Sequence, residues 1–393
     1  MNHVLCLNAG SASLKFGLYR LDSKGDLLRC QFRGAVDRRD NHLHFRVAEA
    51  NGAVLDEARW DTDPGAGAMV EIILGWAEAH LGGGALAAVG HRVVHGGVDF
   101  DGPVLVNAAV MRKLDALSAL APLHQPVNLA TIRNVAALRP DLPQVACFDT
   151  AFHHTMPEIA TRFGLPRALH DRGIRRYGFH GLSYDYVAGR LAQIAPGLAE
   201  GRVIIAHLGS GASLCATLAG HSIETTMGFT ATDGLLMGTR CGALDPGVVL
   251  SLIRSDGMSA EAVEDLLNRQ SGLLGVSGLS SDMRVLLASD AAPAREAVDL
   301  FVYRVVRETA ALAAALGGLD GLVFTGGIGE HAAPVRASVV QRLGWLGCTL
   351  DPAANAGVRE GSIAALGSRV AVHVVPTDEE VTIARQCGTV LRS

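Results

Sequence analysis

Short apolar runs that end in Gly, Ser or Asn alternate along this chain with longer stretches of helical spacing. Residues 4–7 form such a run; Asn8-Ala9-Gly10-Ser11-Ala12-Ser13 follows, and residues 14–19 then alternate, which predicts strand, tight turn and strand. The pattern recurs far downstream, where the run 203–208 meets Gly209-Ser210-Gly211-Ala212 and continues into 213–217. Two hairpins with Gly/Ser turns fit two similar lobes whose turns face one cleft. Residues 88–94 and 144–148 read as further strands, the second ending at Asp149, and 321–324 as another that runs into Thr325-Gly326-Gly327-Ile328-Gly329-Glu330. Helical spacing covers 69–81, 183–194, 260–267 and 294–316. A strand over 370–375 is stopped by Pro376. Thr377-Asp378-Glu379-Glu380 opens a last helix, with Thr377 and Glu380 at capping-box spacing. Strands alternating with helices predict an α/β architecture, and 393 residues predict two domains.

Composition narrows the ligand class. The net charge is −5 and no basic stripe is visible, which argues against nucleic acid and for a small molecule. The seven cysteines are scattered, odd in number and without C-x-x-C spacing, so neither a disulfide framework nor a zinc site is expected. The N-terminal residues lack a basic region and a long apolar run, so no signal peptide is expected. No stretch has the length and apolarity of a membrane span, and a cytoplasmic location is the expectation.

Candidate chemistry begins in the turns. Gly10 lets a backbone come close to a ligand, Ser11 and Ser13 offer hydroxyls, and Lys15 falls on the same face as Ser13. This reads either as a phosphate cradle or as an ordinary hairpin with polar turn residues. It is no P-loop, because it lacks G-x-x-x-x-G-K-[ST] and leads into a strand. Gly209-Ser210-Gly211 and Gly326-Gly327-Ile328-Gly329 carry the same two readings. A glycine-rich turn at a helix N-terminus is a natural anion site, and several such turns in one chain point toward a nucleotide.

Charged residues in glycine-rich surroundings come next. Arg92 in His91-Arg92-Val93-Val94-His95-Gly96-Gly97 stands at a strand end, and Arg240 lies in the loop Gly238-Thr239-Arg240-Cys241-Gly242. A guanidinium fork binds carboxylate or phosphate, although a surface salt bridge is the commoner fate of an Arg. Asp149 ends a strand, where α/β sites lie, or else caps the next segment. His180, between glycines and near Arg175 and Arg176, and His124, beside two prolines, are each either functional or structural. The adjacent His153 and His154 make a poor chelate. Glu380 is assigned to the helix cap. Glu379, with Asn8, remains as a hard oxygen donor suited to Mg²⁺.

Several segments, in order from one end of the chain to the other, resemble the acetate kinase family. They are Asn-Ala-Gly-Ser-x-Ser-Leu-Lys at 8–15, His-Arg-Val-Val-His-Gly-Gly at 91–97, Phe-Asp-Thr-Ala-Phe-His at 148–153 and Arg-Tyr-Gly-Phe-His-Gly at 176–181. Met-Gly-Thr-Arg at 237–240, Ser-Ser-Asp-Met-Arg at 280–284, Gly-Ile-Gly-Glu at 327–330 and Pro-Thr-Asp-Glu-Glu at 376–380 complete the set. The resemblance implies the two-lobed fold of actin, Hsp70 and sugar kinases, built of duplicated ribonuclease H-like domains around a central cleft, and a homodimer. Residues 1–149 with 377–393 would form one lobe and 150–376 the other. The implied reaction is reversible transfer of the γ-phosphoryl of ATP to acetate, giving acetyl phosphate and ADP.

The resemblance also implies roles. Asn8 and Glu379 hold Mg²⁺ or Mn²⁺. Arg92 and Arg240 grip the carboxylate and the transferring phosphoryl, and Asp149 and His180 line the transfer site. The first hairpin contributes Ser11, Ser13 and Lys15 to the nucleotide. His207, Leu208, Gly209, Ser210 and Gly211 contact it as well, as do Asp282, Met283 and Arg284, and Gly327, Ile328, Gly329, Glu330 and His331. Val94, Leu123, Phe179 and Ala231 form the acyl pocket. A carboxylate is ionised at neutral pH and needs no general base, so the work falls to positioning and to cations. Asp149 is then better read as orienting an Arg, a water or Mg²⁺ than as a proton acceptor.

The chain departs from the family pattern in places. Ser210 stands for Asn, Leu182-Ser183-Tyr184 for Thr-Ser-His, Cys241 and Ala243 for Ser and Asp, His331 for Asn, and Ala231 for Pro. The Leu182-Ser183-Tyr184 change reads as the loss of a polar pair near the site. Ala231 removes ring volume and leaves room for propionate. A propionate or butyrate kinase is one alternative. A nucleotide-binding module without catalysis is another, against which Arg92, Asp149, His180 and Arg240 speak.

Overall fold

The computed structural model describes residues 2–10, 13–22, 27–39, 42–61 and 65–392, so Ser11 lies outside the described residues. It separates into two compact units, one of Met1–Phe152 with Asp378–Ser393 and one of His153–Thr377.

The first unit holds an eight-stranded sheet. Its strands are β1 (Asn2–Ala9), β2 (Ser13–Leu21), β3 (Leu27–Arg39), β4 (His42–Glu49), β5 (Val54–Trp60), β6 (Ala85–Val93), β7 (Val104–Leu105) and β8 (Gln144–Phe148). The spatial order is β5-β4-β3-β2-β1-β6-β8-β7. Strands β1 to β5 are antiparallel neighbours, whereas β1, β6 and β8 run parallel. Strand β1 is buried from His3 to Ala9, as a strand covered on both faces must be, and this is why its sequence reads as an unbroken apolar run. On one face Phe16 stacks on Phe45 at 5.8 Å and Trp76 of the helix Gly65–Ala79 meets Phe32 edge-on at 5.3 Å. Gly34 makes room for the Phe16 ring, which lies where a Cβ would stand.

The second unit holds β9 (Arg202–Leu208), β10 (Ala212–Leu218), β11 (His221–Thr225), β12 (Gly321–Thr325), β13 (Gly361–Ser362) and β14 (Ala371–Val374), in the order β11-β10-β9-β12-β14-β13. Here β9, β10 and β11 are antiparallel, and β9, β12 and β14 are parallel. The series β3-β2-β1-β6-β8 and β11-β10-β9-β12-β14 therefore share order and direction. The similarity of the two hairpins is one visible part of a repeated sheet. The helices predicted over 69–81, 183–194 and 294–316 span Gly65–Ala79, Gly181–Ile194 and Ala292–Ala315, each beginning two to four residues earlier. All seven cysteines are free. Among the described residues no helix is long and apolar enough to cross a membrane.

The last helix, Glu379–Arg392, belongs to the first unit. Its cap differs from the sequence expectation. Thr377 Oγ1 makes no hydrogen bond, and the cap is Asp378, whose Oδ1 accepts from the Val381 amide at 3.1 Å. An Asp one residue nearer the helix outcompetes the Thr because its carboxylate reaches the third helical amide directly. The other oxygen of Asp378 pairs with Arg33 of β3. The helix packs against β6 at Gly90, where an added Cβ would stand 2.5 Å from both Cys387 Sγ and Ile383 Cγ2. Cys387 and Ile383 are fully buried, so neither can swing aside. We expect Gly90→Ala to destabilise the protein by about 1–3 kcal/mol through overpacking, read from urea denaturation midpoints.

Candidate active site

In the first unit, parallel pairing places Arg92, next to last in β6, opposite Cys147 of β8, two residues before Asp149. Arg92 Nε donates to both Asp149 oxygens at 3.1 Å and Nη2 donates to Oδ2 at 2.6 Å. The carboxylate is almost wholly buried and the arginine side chain is one-fifth exposed, at 2% and 20%. Arg92 Nη1 donates to Asn8 Oδ1 at 3.1 Å, and Asn8 Nδ2 donates to Glu379 Oε2 at 3.0 Å. Arg92 Nε lies 4.0 Å from that same Glu379 oxygen. Burial opposes the arginine's charge, but the Asp149 and Glu379 carboxylates outweigh it and raise its pKa. Burial pushes the Asp149 carboxyl up, against the pull of Arg92.

Two buried amides brace this strand end. Asn128 accepts from the Val94 amide at 3.0 Å and donates to the Ala9 carbonyl at 2.9 Å, joining the ends of β6 and β1. Gln125 bonds both backbone groups of His95. Nothing in the sequence singled these residues out, since neither sits in a motif. Val94 is buried, Leu123 is half-buried, and His124 precedes the helix Gln125–Leu138 without capping it. Lys15, in register with Asn8, faces a cavity of about 400 Å³ that Arg33, Asp37, His44, Arg46 and Glu57 also line. Ser13 lends its carbonyl to the Gly10 amide at 2.8 Å and so closes the first turn.

The residues for a divalent cation can be judged from their donors. Asn8 and Glu379 stand side by side, and among the described residues no three His, Cys, Asp or Glu side chains group in a way that would hold a metal. A site with so few protein oxygens suits Mg²⁺ or Mn²⁺ that keeps most of its waters, and not a metal that seeks thiolate or imidazole. One arginine faced by Asp149 and Glu379 also leaves a local negative excess.

In the second unit the remaining candidates gather around the turn after β9. His180 precedes the helix Gly181–Ile194 in the left-handed conformation, φ 61°, a costly geometry for a non-glycine residue. Its Nδ1 lies 2.8 Å from Ser213 Oγ, and its ring stacks on His207 at 4.2 Å. The Tyr184 hydroxyl bonds the same Ser213 oxygen, and Ser183 Oγ lies 2.8 Å from His207 Nδ1. The change to Leu182-Ser183-Tyr184 therefore does not strip the site of polar groups, because Ser183 and Tyr184 each hold one of the stacked rings. His153 also serves the site from below: its Nε2 donates to the Phe179 carbonyl at 3.0 Å, and burial brings its pKa down to about 4.

Arg240 Nη1 donates to the Ala231 carbonyl at 2.6 Å, so the position that differs from the family's Pro anchors this arginine through its backbone. A Cβ on Gly211 would stand 2.8 Å from Arg240 Nη2 and 3.2 Å from His180 Nε2, which puts both groups over this glycine. The other turn residues converge here too. A Cβ on Gly209 would lie 3.9 Å from the Gly327 amide nitrogen, and one on Gly238 would lie 3.3 Å from the Ser210 carbonyl and 3.4 Å from that of Ser281. Leu208 is buried and Gly326, at φ 75°, packs against its backbone. Ile328 and Gly329 lie within the short helix Gly326–His331. Glu330 Oε1 accepts from the Gly326 and Thr377 amides at 2.9 and 3.1 Å, so it fixes the loop, and His331 is largely exposed. Asp282 caps a short helix and accepts from the exposed Arg284, with Met283 buried between them.

The profile of the acetokinase family matches residues 3–385. The chain belongs to the acetokinase family. Acetate kinase of Rhodopseudomonas palustris is 55% identical over 390 residues, covering 97% of this chain and 96% of the relative. Among solved structures, Porphyromonas gingivalis acetate kinase is 38% identical with a TM-score of 0.87 and full coverage of both chains. A propionate kinase from Francisella tularensis subsp. tularensis is 36% identical with a TM-score of 0.89, covering 98% and 99%. The mixed α/β fold with two sheets is thus the fold of this acetokinase family, as the motifs implied.

The buried pair at the strand end carries a stability consequence. We expect Asp149→Ala, which takes the bidentate partner from a mostly buried guanidinium, to cost about 3 kcal/mol. The double variant Arg92→Ala/Asp149→Ala is expected to be more stable than the two single effects summed, as a urea double-mutant cycle would read.

Proposed function

We propose that this chain is an acetate kinase, transferring the γ-phosphoryl group of ATP to acetate in line and reversibly, with acetyl phosphate and ADP as products. The observation that carries the reading is membership of the acetokinase family over nearly the whole chain, with Arg92, Asp149, His180 and Arg240 at the family's motif positions. The first unit supplies the carboxylate grip and the metal donors. The second supplies the nucleotide turns and the second arginine. A cytoplasmic homodimer is the working form that the family implies.

The chemistry asks little covalent help of the protein. The acetate oxygen is already anionic and attacks phosphorus without a base. Charge spread over the equatorial phosphoryl oxygens must be met by fixed donors. Arg92, clamped by Asp149, keeps its fork oriented, so little side-chain freedom is lost when an anion arrives. Arg240, tied to Ala231, acts in the same way, with His180 beside it. Asn8 and Glu379 would hold Mg²⁺ or Mn²⁺, which when bound lowers the charge on the phosphate oxygens. We expect Arg92→Ala and Arg240→Ala each to lower kcat by roughly 10³-fold in a hydroxylamine assay for acyl phosphate. Near-normal turnover in both variants would remove this mechanism.

Propionate is a second substrate that Ala231 and the likeness to a propionate kinase favour. One methylene in an apolar pocket is worth only about 1–3 kcal/mol. With acetate, propionate and butyrate compared in the same assay, acetate is expected first and propionate next. A propionate kcat/KM more than roughly 10³-fold below that for acetate would contradict the looser pocket.

A further inference from the structure

His180 is held by Ser213 on one side and by the His207 ring on the other. Ser213 of β10 and His207 of β9 are register partners on neighbouring strands, so their side chains rise from one face. His180 stacks on the second and bonds the first. Tyr184, one helical turn beyond His180, is fully buried, and its hydroxyl meets the same Ser213 oxygen. The three groups form a chain from Tyr184 through Ser213 to His180 Nδ1.

We propose that Tyr184 is a positioning residue for the transfer step, holding His180 through Ser213 as the neutral imidazole protonated on Nε2. The proposal rests on the kinase reading above. Its physical basis is the direction of the two hydrogen bonds. A phenol is a stronger donor and a weaker acceptor than an alkyl hydroxyl, so the Tyr184 proton points to Ser213 Oγ. Burial keeps that phenol protonated. Ser213 then spends its own proton on His180 Nδ1, which accepts it only through a lone pair. The ring proton is left on Nε2, the nitrogen that shares the space over Gly211 with Arg240. An N–H there adds a neutral donor beside a guanidinium. The other tautomer would direct a lone pair at the phosphoryl oxygens and repel them. His153 shows the same arrangement nearby, with Ser222 at Nδ1 and a carbonyl, which can only accept, at Nε2.

The tautomer is directly measurable. In the full chain labelled with ¹⁵N-histidine, two-bond ¹H–¹⁵N correlations distinguish the two ring nitrogens, and the peaks missing in His180→Ala assign this residue. The wild type is expected to show His180 with a bare Nδ1 and a protonated Nε2. Tyr184→Phe, nearly the same in volume, is expected to mix the tautomers. It is also expected to lower kcat roughly 10-fold, with KM for ATP and acetate changed by less than about 2-fold. A protonated Nδ1 in the neutral wild type would overturn the proposal. So would a Tyr184→Phe protein that keeps the single Nε2–H form while losing kcat, since Tyr184 would then act by packing alone. Mixed tautomers with unchanged kcat would also overturn a role in the transfer step. Should the wild type form no acyl phosphate, the kinase reading fails and the catalytic role with it, whereas the ring nitrogens still decide the tautomer by themselves.

Discussion

The first unit is organised around one buried charge, the guanidinium of Arg92. A cation taken out of water is costly unless acceptors, and best a counter-charge, go with it. Asp149 provides both in bidentate form, and it can do so because β6 and β8 are parallel neighbours whose ends lie level. Asn8 takes a further N–H and hands the contact on to Glu379. Every element that touches this chain of bonds is constrained by it: the end of β1, the brace of Asn128, and the final helix, which Gly90 admits and Asp378 caps. Two carboxylates against one arginine leave the site short of positive charge, a condition that a divalent cation relieves.

The second unit solves a different problem with neutral groups. Its stacked histidines are hydroxyl-bonded, and the Gly327 amide lies near the turn that the Gly209 amide closes on the Gly211 carbonyl. Glu330 spends an oxygen on two amides and so sets the loop geometry. Arg240 lies over Gly211 and donates to the Ala231 carbonyl.

Much of this was legible in the residues. The two hairpins, the strands at 144–148 and 321–324 and the long helices stand out because burial on both faces, or one apolar stripe, writes a clear period. Strands β3 to β5 escaped notice for different reasons. Leu43, Phe45 and Val47 alternate with His44 and Arg46, the half-buried pattern of a strand with one covered face. Strand β5 is an exposed edge whose Val54, Leu55 and Glu57 carry no period at all. The cap was misassigned because Thr377 and Asp378 both fit the spacing rules, and only backbone geometry decides between them. Tyr184 read as a lost polar group because a motif comparison counts residue types. The structure shows that a phenol one turn from His180 reaches the same hydroxyl.

The repeated sheet gives the contrast between the units a common origin in position. Next to last in β1 is Asn8, in register with Lys15; next to last in β9 is His207, in register with Ser213. Next to last in β6 is Arg92, and in β12 it is Phe324, which is fully buried. The backbone therefore offers the same places twice, at strand ends beside a tight turn. The side chains there are an amide and two cations in one unit, and an imidazole, a hydroxyl and a phenyl ring in the other. Each unit therefore carries its own polar cluster: Arg92, Asp149, Asn8 and Glu379 bond one another in the first, and His180, Ser213 and Tyr184 in the second.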